Sequence, residues 1–249
     1  MTTRLLSPFR RESSTERERW PASELDVVAM VAHELRQPLA SIEMAVPVMA
    51  EAPEYAGRAK ARRVIERQLV YMRRLVNDLL DAERTRRGDL HLEIVSVDLR
   101  SIVEDAARTF GELARQRSVK LASATPAVPV MVDGDRVRLQ QVLSNVLENA
   151  LKHTDAGGTI EVRLQSGSRQ ATISVKDTGD GIPLDVLPHV FEPYRHYGNG
   201  GGLGIGLNVS RRLVELHGGQ ITAQSAGCGK GAEFLLMLPI SNRSLRKGA

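Results

Sequence analysis

Hydrophobic residues recur at a helical period over the first 90 positions of the chain. One series alternates spacings of three and four residues: Leu25, Val28, Ala32, Leu35, Leu39, Ile42, Val46 and Met49. A second series has the same spacing: Ile65, Leu69, Met72, Val76 and Leu79. Pro53 and Gly57 separate the two series and favour a break. The pattern predicts a hairpin of two helices, the second ending near Arg86, with Gly88 terminating it.

Two helices cannot bury both apolar stripes against each other. Two hairpins packed into a four-helix bundle would bury them, so we expect a homodimer. The alternative is that the stripes pack on the second half of the same chain.

The hydrophobic period changes after residue 90. Alternation at Leu90, Leu92 and Ile94 predicts a strand. A helix over 99–117 is expected to bury Ile102, Val103, Ala106, Phe110 and Leu113. Further helices are predicted over 135–153 and 204–217, and strands over 128–132, 159–164, 171–176, 220–225 and 233–238. This order predicts an α+β chain in which a two-layer α/β sandwich follows the hairpin.

The predicted organisation has four parts: a flexible lead-in (1–20), the helical hairpin (21–88), an α/β domain (89–240) and a disordered tail (241–249). The net charge of +4 is spread without a basic patch, so we expect no nucleic acid partner. No run of 18 apolar residues occurs, so we expect no membrane segment. A single cysteine, Cys228, excludes an internal disulfide and is typical of the reducing cytoplasm.

His33 lies on the flank of the first apolar series, where its ring is expected to be partly exposed. A neutral imidazole can act as a nucleophile, and Glu34 beside it can orient the ring or accept its proton. Pro38 removes a backbone donor one turn later, which predicts a bend or a looser helix. Taken alone, the histidine also fits an ordinary exposed position on a coiled coil.

Three downstream segments suggest a nucleotide site. Asp177 ends a predicted strand and is followed by Gly179 and Gly181, which would let a flat ring approach the backbone. Residues 201–206 are glycine-rich and lead into a helix, whose free N–H groups suit phosphate. A polar stripe on one helix face could bind phosphate and Mg²⁺: Asn145, Glu148, Asn149 and Lys152. Each feature alone also fits turn chemistry or a solvated helix face.

From about Ser23 to Pro239 the chain resembles the transmitter region of two-component sensor histidine kinases. HELRQPL at 33–39 is similar to the phosphoacceptor box, and NVLENALK at 145–152 to the N box. DTGDGIP at 177–183 and GLGIGL at 202–207 are similar to the two glycine boxes, and FEPY at 191–194 to the F box. Five motifs in the family's order are far more specific than any one of them.

The resemblance implies a dimerisation and phosphotransfer hairpin followed by a Bergerat-type ATP-binding domain, as in gyrase, Hsp90 and MutL. It implies that Asn149 coordinates Mg²⁺ with support from Asn145, and that Lys152 contacts phosphate. Asp177 would bind the adenine amine, with Gly179 and Gly181 beside the ring. The remaining nucleotide-binding candidates, which would hinge a lid and meet the phosphates, are Arg195, Gly202, Gly204 and Gly206.

In the reaction that the resemblance implies, His33 attacks the γ-phosphoryl group of ATP, with Glu34 as base and Mg²⁺ balancing charge. The phosphoryl group then passes to an aspartate of a separate response regulator. Two alternatives stay open: a nucleotide-binding scaffold that regulates another kinase, and a phosphatase or phosphotransfer module in which ATP only sets the conformation.

The chain departs from the family pattern in three places. The lid between residues 194 and 200 is short, so we expect weaker ATP retention or faster ADP release. Gln37 occupies a position where many relatives have Thr or Asn for phosphatase activity, which makes it the phosphatase candidate. We expect input to come from a separate sensor protein, from the short N-terminal segment, or from a region beyond this chain.

Overall fold

The computed structural model describes residues 24–51, 54–195 and 202–241. The predicted lead-in, the break at Pro53, most of the lid and all but the first residue of the tail lie outside these ranges. Their predicted properties therefore stay predictions.

The N-terminal part is a hairpin of two long helices, α1 (Glu24–Glu51) and α2 (Tyr55–Arg87). Helix α1 continues through Pro38 and Pro47. Helix α2 is followed by Gly88, whose φ of +76° is the left-handed conformation that favours glycine at a helix end. The predicted hairpin and its terminator are confirmed.

The described part of the α/β domain contains three further helices and seven strands. In chain order these are β1 (Val95–Asp98), α3 (Leu99–Gln116), β2 (Lys120–Ala124), β3 (Met131–Gly134), α4 (Arg136–Lys152), β4 (Thr159–Ser166), β5 (Gln170–Asp177), α5 (Gly206–Leu216), β6 (Gln220–Gln224) and β7 (Glu233–Pro239). A short 3₁₀ turn covers Leu187–His189.

A five-stranded sheet with the order β2-β4-β5-β7-β6 forms one layer of this domain. Its pairs are antiparallel except for β2 with β4. Alternate residues of β4 and β5, such as Val162 and Val175, are fully buried on the face that α3 and α4 cover. The predicted α+β class and two-layer sandwich are therefore confirmed.

Several details of the predicted elements are wrong. Strand β2 was not predicted, and the strand predicted over 128–132 lies at Met131–Gly134 as β3. The alternation at Leu90–Ile94 forms no strand; β1 begins at Val95, because only from there does it have a partner, β3. Leu90 is instead buried in the core, while Ile94 is half exposed. On α3, Ala114 is buried and Leu113 is 44% exposed. In its last turn the helix presents to the core the residue four positions after Phe110, and not the residue three positions after it.

The position of α4 is fixed by its N-cap, Asp135. Its Oδ1 accepts hydrogen bonds from the backbone N–H groups of Val137 (3.0 Å) and Arg138 (3.2 Å), and its Oδ2 accepts one from Glu93 (3.1 Å). The capping carboxylate satisfies free donors of the first turn. It also ties the helix that carries residues 145–152 to the segment leading out of the hairpin.

Candidate active site

Asp177 ends β5 with a side chain that is only 5% exposed. Its Oδ1 accepts hydrogen bonds from the N–H groups of Gly179 (2.9 Å) and Ala232 (3.2 Å). Burial raises the pKa of this carboxyl, and the two backbone bonds partly offset the rise. Since both bonds end on Oδ1, Oδ2 is the oxygen that can accept a hydrogen bond from an exocyclic amine.

The glycines after Asp177 are required by close packing of the backbone. A Cβ at Gly179 would overlap the carbonyl oxygen of His153, and one at Gly181 would overlap that of Gly227. Gly181 also has a φ of +67°. These glycines shape the loop, which is a structural reason for them in addition to any approach of a flat ring.

The polar residues of α4 do not share one open face. Asn145 is 3% exposed; its Nδ2 donates to the carbonyl oxygen of Gly206 (3.1 Å) and to Oγ of Ser210 (3.2 Å). Asn145 therefore holds the first turn of α5. Asn149 is half-buried and Lys152 is exposed. Desolvation by neighbouring groups lowers the pKa of Lys152, while the charge of Glu34 acts to raise it.

The two ends of the lid meet each other. The N–H of Tyr194 donates to the carbonyl oxygen of Gly204 (3.0 Å), and Arg195 lies against Gly204, whose φ is +64°. Residues 196–201 lie outside the described ranges. The short lid is thus anchored at adjacent points, while its effect on ATP stays a prediction.

Helix α1 contacts the glycine-rich segment before α5, called the glycine loop below, through Glu34. Oε2 of Glu34 accepts a hydrogen bond from the N–H of Gly202 at 2.7 Å, across 168 positions of sequence. His33 and Gln37 are exposed on α1. Within the described residues, the ring of His33 makes no hydrogen bond or ion pair with the nucleotide candidates.

A polar stripe on α2 that sequence reasoning missed contacts both α1 and the α/β domain. Its members are spaced by three and four residues: Tyr71, Arg74, Asp78 and Asp81. The hydroxyl of Tyr71 donates to Oε2 of Glu34 (3.1 Å). The spacing of this stripe is visible in the sequence. It was missed because its partners are remote in the chain and because a hydrophobic series runs beside it on the same helix.

Charged members of this stripe bind α4. Arg74 pairs with Glu148 and donates to Oδ1 of Asn145. Asp81 is 4% exposed and accepts hydrogen bonds from Nη1 of Arg138 and Nε2 of Gln141, each at 2.8 Å. The stripe therefore holds α2 against the helix that carries Asn145 and Asn149.

Asp78 lies within the stripe, 3.7 Å from Nε of Arg74, with a side chain that is 13% exposed. Burial raises its pKa to about 6, although the charge of Arg74 acts to lower it. The hairpin thus buries a carboxyl whose ionised form the surroundings disfavour.

A cavity of about 790 Å³ lies near the β4–β5 turn, at the opposite end of the sheet from Asp177. No candidate residue lines it. A smaller cavity of about 360 Å³ borders Gly179 and Asp180. Within the described residues, no group of three or more His, Cys, Asp or Glu side chains could hold a metal ion. The described helices also include none that is long and apolar enough to cross a bilayer.

Two family models match the chain. Residues 23–88 match the His Kinase A (phospho-acceptor) domain, and residues 134–242 match the histidine kinase-, DNA gyrase B-, and HSP90-like ATPase. The two matches contain α1 with His33 and the α4-to-β7 part of the α/β domain, respectively.

Curated relatives align over nearly all of this chain. The alginate biosynthesis sensor protein KinB of Pseudomonas aeruginosa is 32% identical over 230 residues, which are 91% of this chain and 38% of KinB. The adaptive-response sensory kinase SasA of Prochlorococcus marinus is 34% identical over 245 residues, 95% of this chain and 64% of SasA. The chain thus spans about two-fifths to two-thirds of the length of these two relatives.

Solved structures have the same architecture. Full-length ShkA in complex with AMPPNP is 26% identical with a TM-score of 0.65, over 87% of this chain and 46% of that one. The Acinetobacter baumannii histidine kinase AdeS, at 22% identity and a TM-score of 0.62, shares the fold over 84% of this chain and 98% of its own. The chain belongs to the two-component sensor histidine kinases and comprises their transmitter region, a phosphoacceptor domain followed by an ATPase domain.

Proposed function

We propose that the chain is an ATP-dependent protein histidine kinase that phosphorylates itself on His33. The hydrogen bond from Gly202 to Glu34 carries the proposal, because it joins the glycine loop to the residue beside the acceptor histidine. Family membership supports the same activity.

Each candidate residue has a proposed role. Asp177 binds the adenine amine through Oδ2, beside Gly179 and Gly181. Lys152 and Arg195 attract the phosphates, and the glycine loop donates backbone N–H groups to them: Gly202, Gly204 and Gly206. Asn145 supports this loop by holding the start of α5.

The donor set fits Mg²⁺ that arrives with the nucleotide. Mg²⁺ usually keeps several waters and takes one or two protein ligands together with substrate phosphates. The half-buried Asn149 offers one amide oxygen on α4, and we assign it as the metal ligand. When bound, the ion would neutralise charge on the phosphates during transfer.

The proposed partners are a second copy of this chain and a response regulator. Members of the apolar series remain exposed in the single chain, such as Val28 (65%), Leu69 (54%) and Val76 (46%). A four-helix bundle would bury these side chains. Their exposure in the single chain therefore supports a homodimer through residues 21–88. Sedimentation equilibrium of the chain showing only monomer would remove this part of the proposal.

The phosphoryl group would pass from His33 to an aspartate of the response regulator's receiver domain. A glutamine amide at position 37 could position water for the reverse, phosphatase reaction, and a separate sensor protein could supply the signal. The ATPase domain would occupy residues 89–240, and the cytoplasm would supply its ATP.

Incubation with radiolabelled ATP and Mg²⁺ tests the proposal. We expect acid-labile, alkali-stable label on the chain, which disappears in His33→Gln and in Asp177→Ala. The exposed His91, replaced by Gln, is the matched control and should leave the label unchanged. ATP binding without label would instead support a nucleotide-binding scaffold.

A further inference from the structure

Glu34 receives two hydrogen bonds on a single oxygen. Oε2 accepts from the hydroxyl of Tyr71 on α2 (3.1 Å) and from the N–H of Gly202 in the glycine loop (2.7 Å). The carboxylate therefore lies where the two hairpin helices and the nucleotide-binding domain meet.

The hydroxyl of Tyr71 is fixed in position and stays protonated. Its ring is partly buried and packs against the hydrophobic core, which fixes the position of the hydroxyl. Burial, together with the charge of Glu34 and the hydrogen bond to it, raises the pKa of Tyr71 to about 12. The phenol therefore keeps its proton and stays a donor throughout the pH range in which proteins work.

The single N–H group of Gly202 can bind either of two anions, the Glu34 carboxylate or a phosphate. In the proposed function this group meets phosphate, yet here it binds the Glu34 carboxylate. When a phosphate oxygen takes this donor, the hydroxyl of Tyr71 is the donor that still holds Oε2. Without Tyr71, the repelled carboxylate would be free to rotate away on its flexible side chain.

We propose that Tyr71 is a positioning residue for phosphoryl transfer: its hydroxyl retains Glu34 by Oε2 while Gly202 exchanges the carboxylate for phosphate, so that Oε1 can take the proton of His33. This inference rests on the proposed function. In the step, a ring nitrogen of His33 forms a bond to the γ-phosphorus, and the bond from that phosphorus to the bridging oxygen breaks. ADP leaves with the electron pair, and the proton on the other ring nitrogen passes to Glu34.

The test is Tyr71→Phe in the full chain, which keeps the ring and removes only the hydroxyl. Autophosphorylation of His33 is followed in single turnover over a series of ATP concentrations. We expect the rate at saturating ATP to fall about ten-fold, which is typical for loss of a hydrogen bond to a charged group. The ATP concentration that gives half of the maximal rate should change less than about two-fold. Tyr55→Phe is the matched control, since Tyr55 lies on the same helix, is 88% exposed and should not alter the rate.

A double-mutant cycle adds a second arm. If Tyr71 acts through Glu34, Tyr71→Phe should cause no further fall in a Glu34→Gln background, whereas a merely structural role predicts additive falls. An unchanged saturating rate in Tyr71→Phe, a change in half-saturating ATP alone, or additivity in the cycle would each overturn the inference. If His33→Gln still labels, the proposed function itself fails, so the two failures are distinguishable.

Discussion

Replacement of Asp78 by Asn should stabilise the protein at neutral pH, although it removes a charge next to Arg74. The surroundings raise the pKa of Asp78 from 3.8 to about 6, mainly by desolvation. The folded protein therefore holds the proton of Asp78 more tightly than the unfolded chain does. As the pH rises from about 4 to about 6, the unfolded state loses this proton first, and the free energy of unfolding of the wild type falls.

The magnitude follows from the two pKa values. A rise from 3.8 to about 6, at ~1.4 kcal/mol for each pH unit, corresponds to an upper limit of roughly 3 kcal/mol. The side chain is only 13% exposed, so screening by solvent removes little of it. The asparagine amide carries no charge to desolvate, and the Tm near neutral pH should rise by several degrees, at roughly 2–4 °C for each kcal/mol.

Thermal unfolding followed by far-ultraviolet circular dichroism measures this effect at pH values near 4, 5, 6 and 7.5. The advantage of Asp78→Asn should be small near pH 4 and should open between about pH 4 and 6. Asp185→Asn, at an exposed position, is the control and should leave the Tm unchanged. A variant that is less stable than the wild type near pH 7.5, or an advantage that is the same at all four pH values, would refute the reasoning.

Four further substitutions test the packing, three of them around the candidate site. Asn145→Ala removes two donors to the first turn of α5 and should lower the free energy of unfolding in urea by roughly 2 kcal/mol. Gly179→Ala places a methyl group against a carbonyl oxygen and should cost about 1–3 kcal/mol by the same measurement. Gly111→Ala, in the middle of α3 with open space around it, should instead stabilise by roughly 0.5–1 kcal/mol. Arg74→Ala leaves Glu148 without its ion pair and should expose α2 to limited proteolysis faster than the wild type, unlike Arg62→Ala on the exposed side of the helix.

Much of the fold could be predicted because its signals are local. The alternation of three and four residues along α1 and α2 depends only on which side chains avoid water, and Gly88 marks the end of α2 through its own conformational freedom. The order of helices and strands from Leu99 onward was predicted for the same reason, except for β2, an edge strand whose residues are mostly exposed. Strand edges were less predictable, since β1 starts where β3 offers a partner rather than where apolar residues begin to alternate.

Motifs in the sequence identified the candidate residues, but they did not reveal which of these residues contact each other. Asn145 looked like part of an open polar face; only the position of α5 shows that its amide is used in packing. Tyr71 looked like a flank of the apolar series, because its partner Glu34 lies on the other helix.

By itself, the sequence determined the helical hairpin, the α/β class, the family and the identity of the residues that could carry the chemistry. These follow from short-range periodicity and from motifs of adjacent residues. The tertiary structure alone decided that Glu34 meets Gly202 and that α2 binds α4 through its polar stripe. Those contacts join residues far apart in the chain, and hydrogen bonding and desolvation act only between groups that folding has already brought together.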